Sequence, residues 1–262
     1  VAFLFLTNLA GYTASSIDAA GLTAGTASGY SVNDFIQGPR STRHRTTDST
    51  SEIGRGYVFA ANTTCDYIFI SRADWLITKN GSRVRPRQRS SGAVWSYITG
   101  VDLNPISTAN LVGVSSQDYV AAISPTDLRG VGLSVLPSSG SQATQISKFW
   151  GCQSFSLDRE PALEMSWQPL PEYSFATPLN GTLPYEIERR FTIQFQLVTR
   201  AKAVAFRALP HIFEWPLVLY DSNGDNWTHK VEHVIIESMN EVILQNDKHN
   251  ITLTCARLKH YD

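Results

Sequence analysis

The stretch R-R-F-T-I-Q-F-Q-L, residues 189–197, decides the fold class. Phe191, Ile193, Phe195 and Leu197 alternate with Thr192, Gln194 and Gln196. A period of two is the mark of a half-buried strand, with one apolar and one polar face. The polar positions are Thr and Gln rather than Lys and Glu. That choice suits burial against another protein surface, so Thr192, Gln194 and Gln196 are candidate interface residues.

Downstream, Arg200–Leu209 carries Val204, Ala205, Ala208 and Leu209 at helical spacing, and Pro210 limits its extension. Pro216–Tyr220, Val231–Glu237, Glu241–Leu244 and a last run with Ile251, Leu253 and Cys255 read as strands. Asp221–Asn226 and Asn246–Asn250 read as turns. A strand, a short helix and several antiparallel strands predict a small α+β split barrel over 185–262.

Upstream, prolines crowd Pro161–Pro184 at 161, 169, 171, 178 and 184, which predicts a linker. Residues 1–160 are rich in Ser, Thr and Gly, with short apolar runs between turns, as in an all-β sandwich. Candidate strands there are Phe3–Leu6, Gly56–Phe59, Tyr67–Ser71, Val94–Thr99, Tyr119–Ile123, Gly132–Leu136 and Gln153–Leu157. Gly21–Gly29 and Ser138–Gln142 read as loops. The opening V-A-F-L-F-L-T-N-L is too short to span a bilayer and lacks the basic flank of a signal peptide, so it reads as the first buried strand.

The whole is 262 residues with 42% hydrophobic and 17% charged residues, enough apolar content for real cores. A formal net charge of -1 gives no global field for nucleic acid or an anionic membrane. Cys65, Cys152 and Cys255 are scattered singly, which fits buried thiols rather than a zinc site or disulfide framework.

Several constellations invite chemistry. Arg40, Arg43, His44 and Arg45 form one basic cluster. Arg83, Arg85, Arg87 and Arg89 form another, and on a strand all four would share a face able to hold carboxylates, phosphates or acidic sugars. A partner's acidic surface is the favoured occupant. Trp75, Trp95 and Trp150 have the rings for sugar stacking, although Trp in a β protein is usually core. His229 and His233 on a strand would stand about 13 Å apart, too far for one ion. Asp221–Asn226 resembles the start of a calcium loop but reads better as a turn. Asp158, Glu160 and Glu164 could serve glycoside hydrolysis, but carboxylates at a junction are usually surface groups. No G-x-S-x-G elbow and no phosphate-cradling glycine loop occur. No catalytic residue, metal or cofactor is therefore expected. Asn62, Asn80, Asn180, Asn226 and Asn250 head N-x-S/T triplets, as chance predicts in a Ser/Thr-rich chain.

Four stretches carry a resemblance: N-L-A-G-Y-T-A-S-S at 8–16, Y-S-V-N-D-F-I-Q-G-P-R-S-T-R-H-R at 30–45, C-D-Y-I-F-I-S-R-A-D at 65–74 and I-S-K-F-W-G-C-Q-S-F-S-L at 146–157. Together they resemble the galactose-binding-like (discoidin-type) jelly-roll sandwich found in phage tail proteins. R-R-F-T-I-Q-F at 189–195, W-P-L-V-L-Y-D at 215–221 and H-N-I-T-L-T at 249–254 resemble the tail-tube-like part of distal tail proteins, which form rings. These likenesses imply a mostly β structural protein of a bacteriophage tail tip or baseplate, made in the host cytoplasm and assembled into the virion. They imply a homo-oligomer among other tail proteins. The alternative they leave open is a carbohydrate-binding adhesin touching a host glycan.

Overall fold

The computed structural model describes residues 3–9, 14–18, 44–45, 51–71, 83–92, 94–98, 111–115, 118–136, 145–146, 148–159, 161, 166–177, 179, 185–209, 217–220 and 230–258. The chain is mostly β, as its patterning predicts, and it divides into two compact units. Unit 1 is Val1–Thr7 with Ser154–Asp262, and unit 2 is Asn8–Gln153. Among the described residues no helix is long and apolar enough to cross a membrane.

In unit 1 the strands are β1 (Phe3–Asn8), β11 (Ser166–Ala176), β12 (Tyr185–Thr199), β13 (Leu217–Tyr220), β14 (Lys230–Ile243) and β15 (Lys248–Leu258). The order across the sheet is β11-β12-β15-β14-β13-β1, with antiparallel pairing throughout the described ladders. The alternation in 191–197 is a property of β12: Phe191, Ile193 and Phe195 are buried, whereas Gln194 and Gln196 are exposed. The pattern then breaks. A bulge between Phe195 and Val198 puts Leu197 at φ 57, exposed, with Asn250 Oδ1 accepting its N–H at 3.0 Å. Helix α1 (Arg200–Arg207) follows at once and buries Ala203 and Phe206. Phe206 meets Phe5 at 5.0 Å between ring centroids, inside a core that also holds Phe191, Phe195, Val234, Ile251 and Leu253. The Asp158 carboxylate accepts the Thr199 N–H at the start of this helix, at 3.2 Å.

Three features of unit 1 differ from expectation. The proline-rich segment is not merely a linker, because it contains the eleven-residue β11. Among the described strands β11 is paired on one side only, to β12, and Pro171 falls where the register shifts between Pro169 and Ser174. An edge strand with a bulge is where missing N–H donors cost little. The opening strand β1 pairs with β13, so residues 3–7 belong with the C-terminal half rather than with the first 160 residues. Val231–Glu237 and Glu241–Leu244 are one strand, β14, with a register shift between Ile236 and Ser238.

Unit 2 contains β2 (Ala14–Asp18), β3 (His44–Arg45), β4 (Ile53–Ser71), β5 (Arg83–Arg89), β6 (Trp95–Tyr97), β7 (Leu111–Ser115), β8 (Asp118–Leu136), β9 (Gln145–Ile146) and most of β10 (Lys148–Phe155). The main order is β10-β4-β8-β5-β6, with β2 on β4, β7 on β8, and a separate β3-β9 pair. β4 and β8 each join two stretches that read as separate strands. Their pairing crosses irregularities between Val58 and Thr63 and between Cys65 and Tyr67, so A-A-N-T-T and S-P-T-D do not end them. The core is aromatic: Phe69 packs on Trp150 at 5.0 Å and Tyr57 on Phe59 at 5.5 Å. Cys65 and Cys152 are buried free thiols here, and Cys255 is one in unit 1. Burial pushes the Cys65 thiol up to about 12. The expected loops Gly21–Gly29 and Ser138–Gln142 and the expected turn Asp221–Asn226 lie outside the described residues.

Candidate functional site

One face of unit 2 is built from glycines. Gly54 and Gly56 on β4 stand opposite Ser134 and Gly132 on β8, and Val58 stands opposite Gly130. On the next strand Arg85, Arg87 and Arg89 stand opposite Ser134, Gly132 and Gly130. Beyond them, Tyr97 pairs with Arg87 and Trp95 with Arg89. Because side chains alternate across a strand, all of these residues share one face. The intervening Tyr57, Val131, Leu133 and Pro86 point the other way and are buried.

Glycine matters at two positions. A methyl on Gly56 would sit 2.8 Å from Trp95 Cη2 and 2.8 Å from the Val131 carbonyl oxygen. A methyl on Gly130 would sit 2.6 Å from the Tyr57 carbonyl oxygen and 3.4 Å from the same indole carbon. The Trp95 ring therefore lies directly on bare backbone, a place only glycine leaves open.

Polar groups surround the rings. Glu52, two residues before Gly54, accepts the Tyr97 hydroxyl at 2.8 Å and the Ser134 hydroxyl at 2.6 Å. The Arg85 guanidinium lies 3.8 Å from the same carboxylate and 3.7 Å from the Tyr97 ring centroid. Arg87 lies 4.5 Å from that centroid. These are cation–π distances. Burial, together with the Glu52 carboxylate, holds the Tyr97 phenol above its usual range, and the two guanidiniums pull the other way. Tyr97 is 37% exposed, whereas Arg87 is only 7% exposed.

The sequence-predicted residues fare unevenly. The structure places Arg83–Arg89 on one strand and brings Arg85, Arg87 and Arg89 together with Trp95. His44 and Arg45 lie on β3, paired with β9. Arg40, Arg43, Trp75, Asn80, Asn180, Asn226, His229, Glu160 and Glu164 lie outside the described residues. Trp150 is core, and His233 is buried on β14. Asp158 is tied to Thr199: burial pushes its carboxyl up, but hydrogen bonds from Thr199 outweigh this and hold it below the usual range. Among the described residues no cluster of His, Cys, Asp and Glu could hold a metal ion. Glu52, Ser134, Tyr97 and the glycine floor escaped the sequence reading. Their signal was present: G-R-G at 54–56 and G-V-G at 130–132 put glycine on every second strand position.

No protein-family model and no curated protein sequence matches the chain. Solved structures similar to it include a Ruminococcus gnavus GH29 fucosidase in complex with fucose, at 16% identity and TM-score 0.43. That match covers 57% of this chain and 27% of the fucosidase, so the chain spans about a quarter of that enzyme's length. The CBM32 of AlyQ in complex with 4,5-unsaturated mannuronic acid is 12% identical, with TM-score 0.38, covering 53% of this chain and 94% of that one. CBM32-1 from a family 31 glycoside hydrolase of Clostridium perfringens is 13% identical, with TM-score 0.38, covering 54% and 96%. Every one of these scores is under 0.5.

Proposed function

We propose that the chain binds carbohydrate without turning it over, through the glycine-floored face of unit 2. The observation that supports this is the Trp95 ring lying on bare backbone, with Tyr97 on the same face held by Glu52 and Arg85, and Glu52 also bound by Ser134. A sugar ring has an apolar face of C–H groups and an edge of hydroxyls. Aromatic rings beside fixed donors and acceptors answer both demands. No step of bond cleavage is assigned to these residues. Glu52 is committed to two hydroxyls and an arginine, a poor state for a general acid. An oligosaccharide array probed with the full chain tests the reading. Binding that disappears in Tyr97→Ala supports it, and binding unchanged by that substitution removes this face from the function.

A second reading, a scaffold within a phage tail particle, draws on unit 1. Thr192, Gln194, Thr252, Thr254, Ser238 and Asn240 lie on the outward face of β12, β15 and β14, opposite the buried Ile193, Leu253 and Cys255. This patch is polar yet uncharged, and a partner desolvates such a surface at less cost than a charged one. Under this reading Thr192→Lys with Gln194→Lys blocks assembly while the chain still folds. Analytical ultracentrifugation of the two forms decides: identical oligomeric states would leave this face without a partner.

A further inference from the structure

We infer that the saccharide taken by the unit 2 face is acidic, and that its anionic oxygens settle on Arg87. This rests on the carbohydrate reading of the same face and names its ligand class. Arg87 is a buried guanidinium whose Nε and Nη1 are shielded from solvent and have no hydrogen-bond partner. A buried cation is costly unless it is paired and hydrogen-bonded. Among the described residues no carboxylate pairs it. Across the sheet stand Gly132 and then Gly56, which have no side chain to offer an acceptor. Glu52 gives one oxygen to Tyr97, the other to Ser134, and its ion pair to Arg85. What Arg87 does touch is the ring of Tyr97, a residue that is itself exposed.

Arg89, two residues along the same face, also carries a buried Nε without a partner, as does the Trp95 indole N–H beside it. Two arginines about 7 Å apart on a strand, each with unspent donors, repeat the same demand for anionic oxygen. A planar guanidinium meets a carboxylate or sulfate through paired N–H bonds, and a neutral hydroxyl cannot match that charge. The shared chemistry is an oxyanion carried on a sugar. The flanking aromatics hold the ring while the arginine reads the acid.

The test uses the full chain and two matched probe pairs on a biosensor surface: oligogalacturonate with its methyl ester, and a sulfated galactan with its desulfated form. Binding to one acidic probe should fall by about tenfold or more when its charge is masked. The pair that responds distinguishes carboxylate from sulfate. Arg87→Met should lose the discrimination while its thermal melt matches the parent. Equal binding to charged and masked forms would overturn the acidic assignment and leave the carbohydrate reading intact. No binding to either pair, with neutral sugars bound on an array, would also overturn it. No binding to any sugar would remove both readings. A folded Arg87→Met chain that still discriminates would take Arg87 out of the site. If that variant does not fold, the masked-probe comparison on the parent chain still decides the ligand class.

Discussion

Two buried arginines, Arg257 in unit 1 and Arg87 in unit 2, have opposite surroundings. In unit 1 the arginines near the sheet meet carboxylates: Arg257 lies 2.8 Å from Glu232, Arg190 lies 2.7 Å from Glu237, and Arg207 lies 3.0 Å from Glu241. In unit 2, Arg87 is as buried as Arg257, yet it faces an aromatic ring and glycine backbone. The burial of Arg257 is thus matched internally, whereas that of Arg87 meets no carboxylate among the described residues. Under the proposed reading the difference separates an arginine that holds a fold from one that awaits a ligand.

The largest effect should come from breaking a matched pair. Glu232 and Arg257 are both nearly inaccessible. Their closest atoms meet as an ion pair rather than as an aligned hydrogen bond. Glu188 stands 3.6 Å from the same guanidinium but is more exposed. Glu232→Gln strands most of a buried charge and should cost about 3–5 kcal/mol, read from denaturant unfolding. A loss below about 1 kcal/mol would mean that Glu188 or solvent suffices, and the contrast between the units would weaken.

Next is the floor of unit 2. Gly56→Ala places a methyl against backbone on one side and Trp95 on the other. The backbone cannot yield cheaply, so about 1–3 kcal/mol of stability should be lost and the Trp95 ring displaced. Loss of sugar binding together with a shift in tryptophan fluorescence is the expected signature. Unchanged stability would show that the indole does not rest on Gly56.

How far the sequence revealed all this depends on the range of the interactions. The β12 alternation, helix α1 and the arginine strand were legible because each is a local pattern. The pairing of β1 with β13 was not, since more than two hundred residues separate Phe3 from Tyr220 and nothing local encodes the partner. β11 was hidden because proline density argues against strands in general, while an edge position is a tertiary fact. The site was half legible. Four alternating arginines announce a charged face, but Glu52 and Ser134 join it only through the β4-β8-β5 register.

A smaller effect concerns Asp158, which accepts the N–H of Thr199, the residue just before α1. Its carboxyl is held below the usual carboxylate range in the folded chain. The stability it contributes is therefore present above the unfolded carboxylate value and lost as pH falls through the lower folded one. Asp158 is exposed, so Asp158→Asn should cost only about 0.5 kcal/mol at neutral pH, as for other solvent-screened charged groups. The difference between parent and variant should vanish in strongly acidic solution. A constant gap across pH 2–7 would show that charge is not what Asp158 supplies.

The smallest stability change should come from Arg87, and its smallness is the sharpest test of the comparison. Replacing Arg87 by Met keeps the unbranched stem but not the guanidinium, and removes a buried charge that no carboxylate among the described residues pairs. The lost cation–π contact with Tyr97 costs about 0.5–2 kcal/mol. The relieved desolvation offsets it, as when apolar residues replace buried charges elsewhere. The net should fall within about 0.5 kcal/mol of zero, in contrast to several kcal/mol for the equally buried Arg257 when its pair is broken. Chemical denaturation of Arg87→Met and Arg257→Met side by side measures this. Equal large losses would make both arginines structural and erase the distinction. A near-zero change at Arg87 beside a large one at Arg257 is the result expected if unit 2 keeps its arginine for an anion from outside.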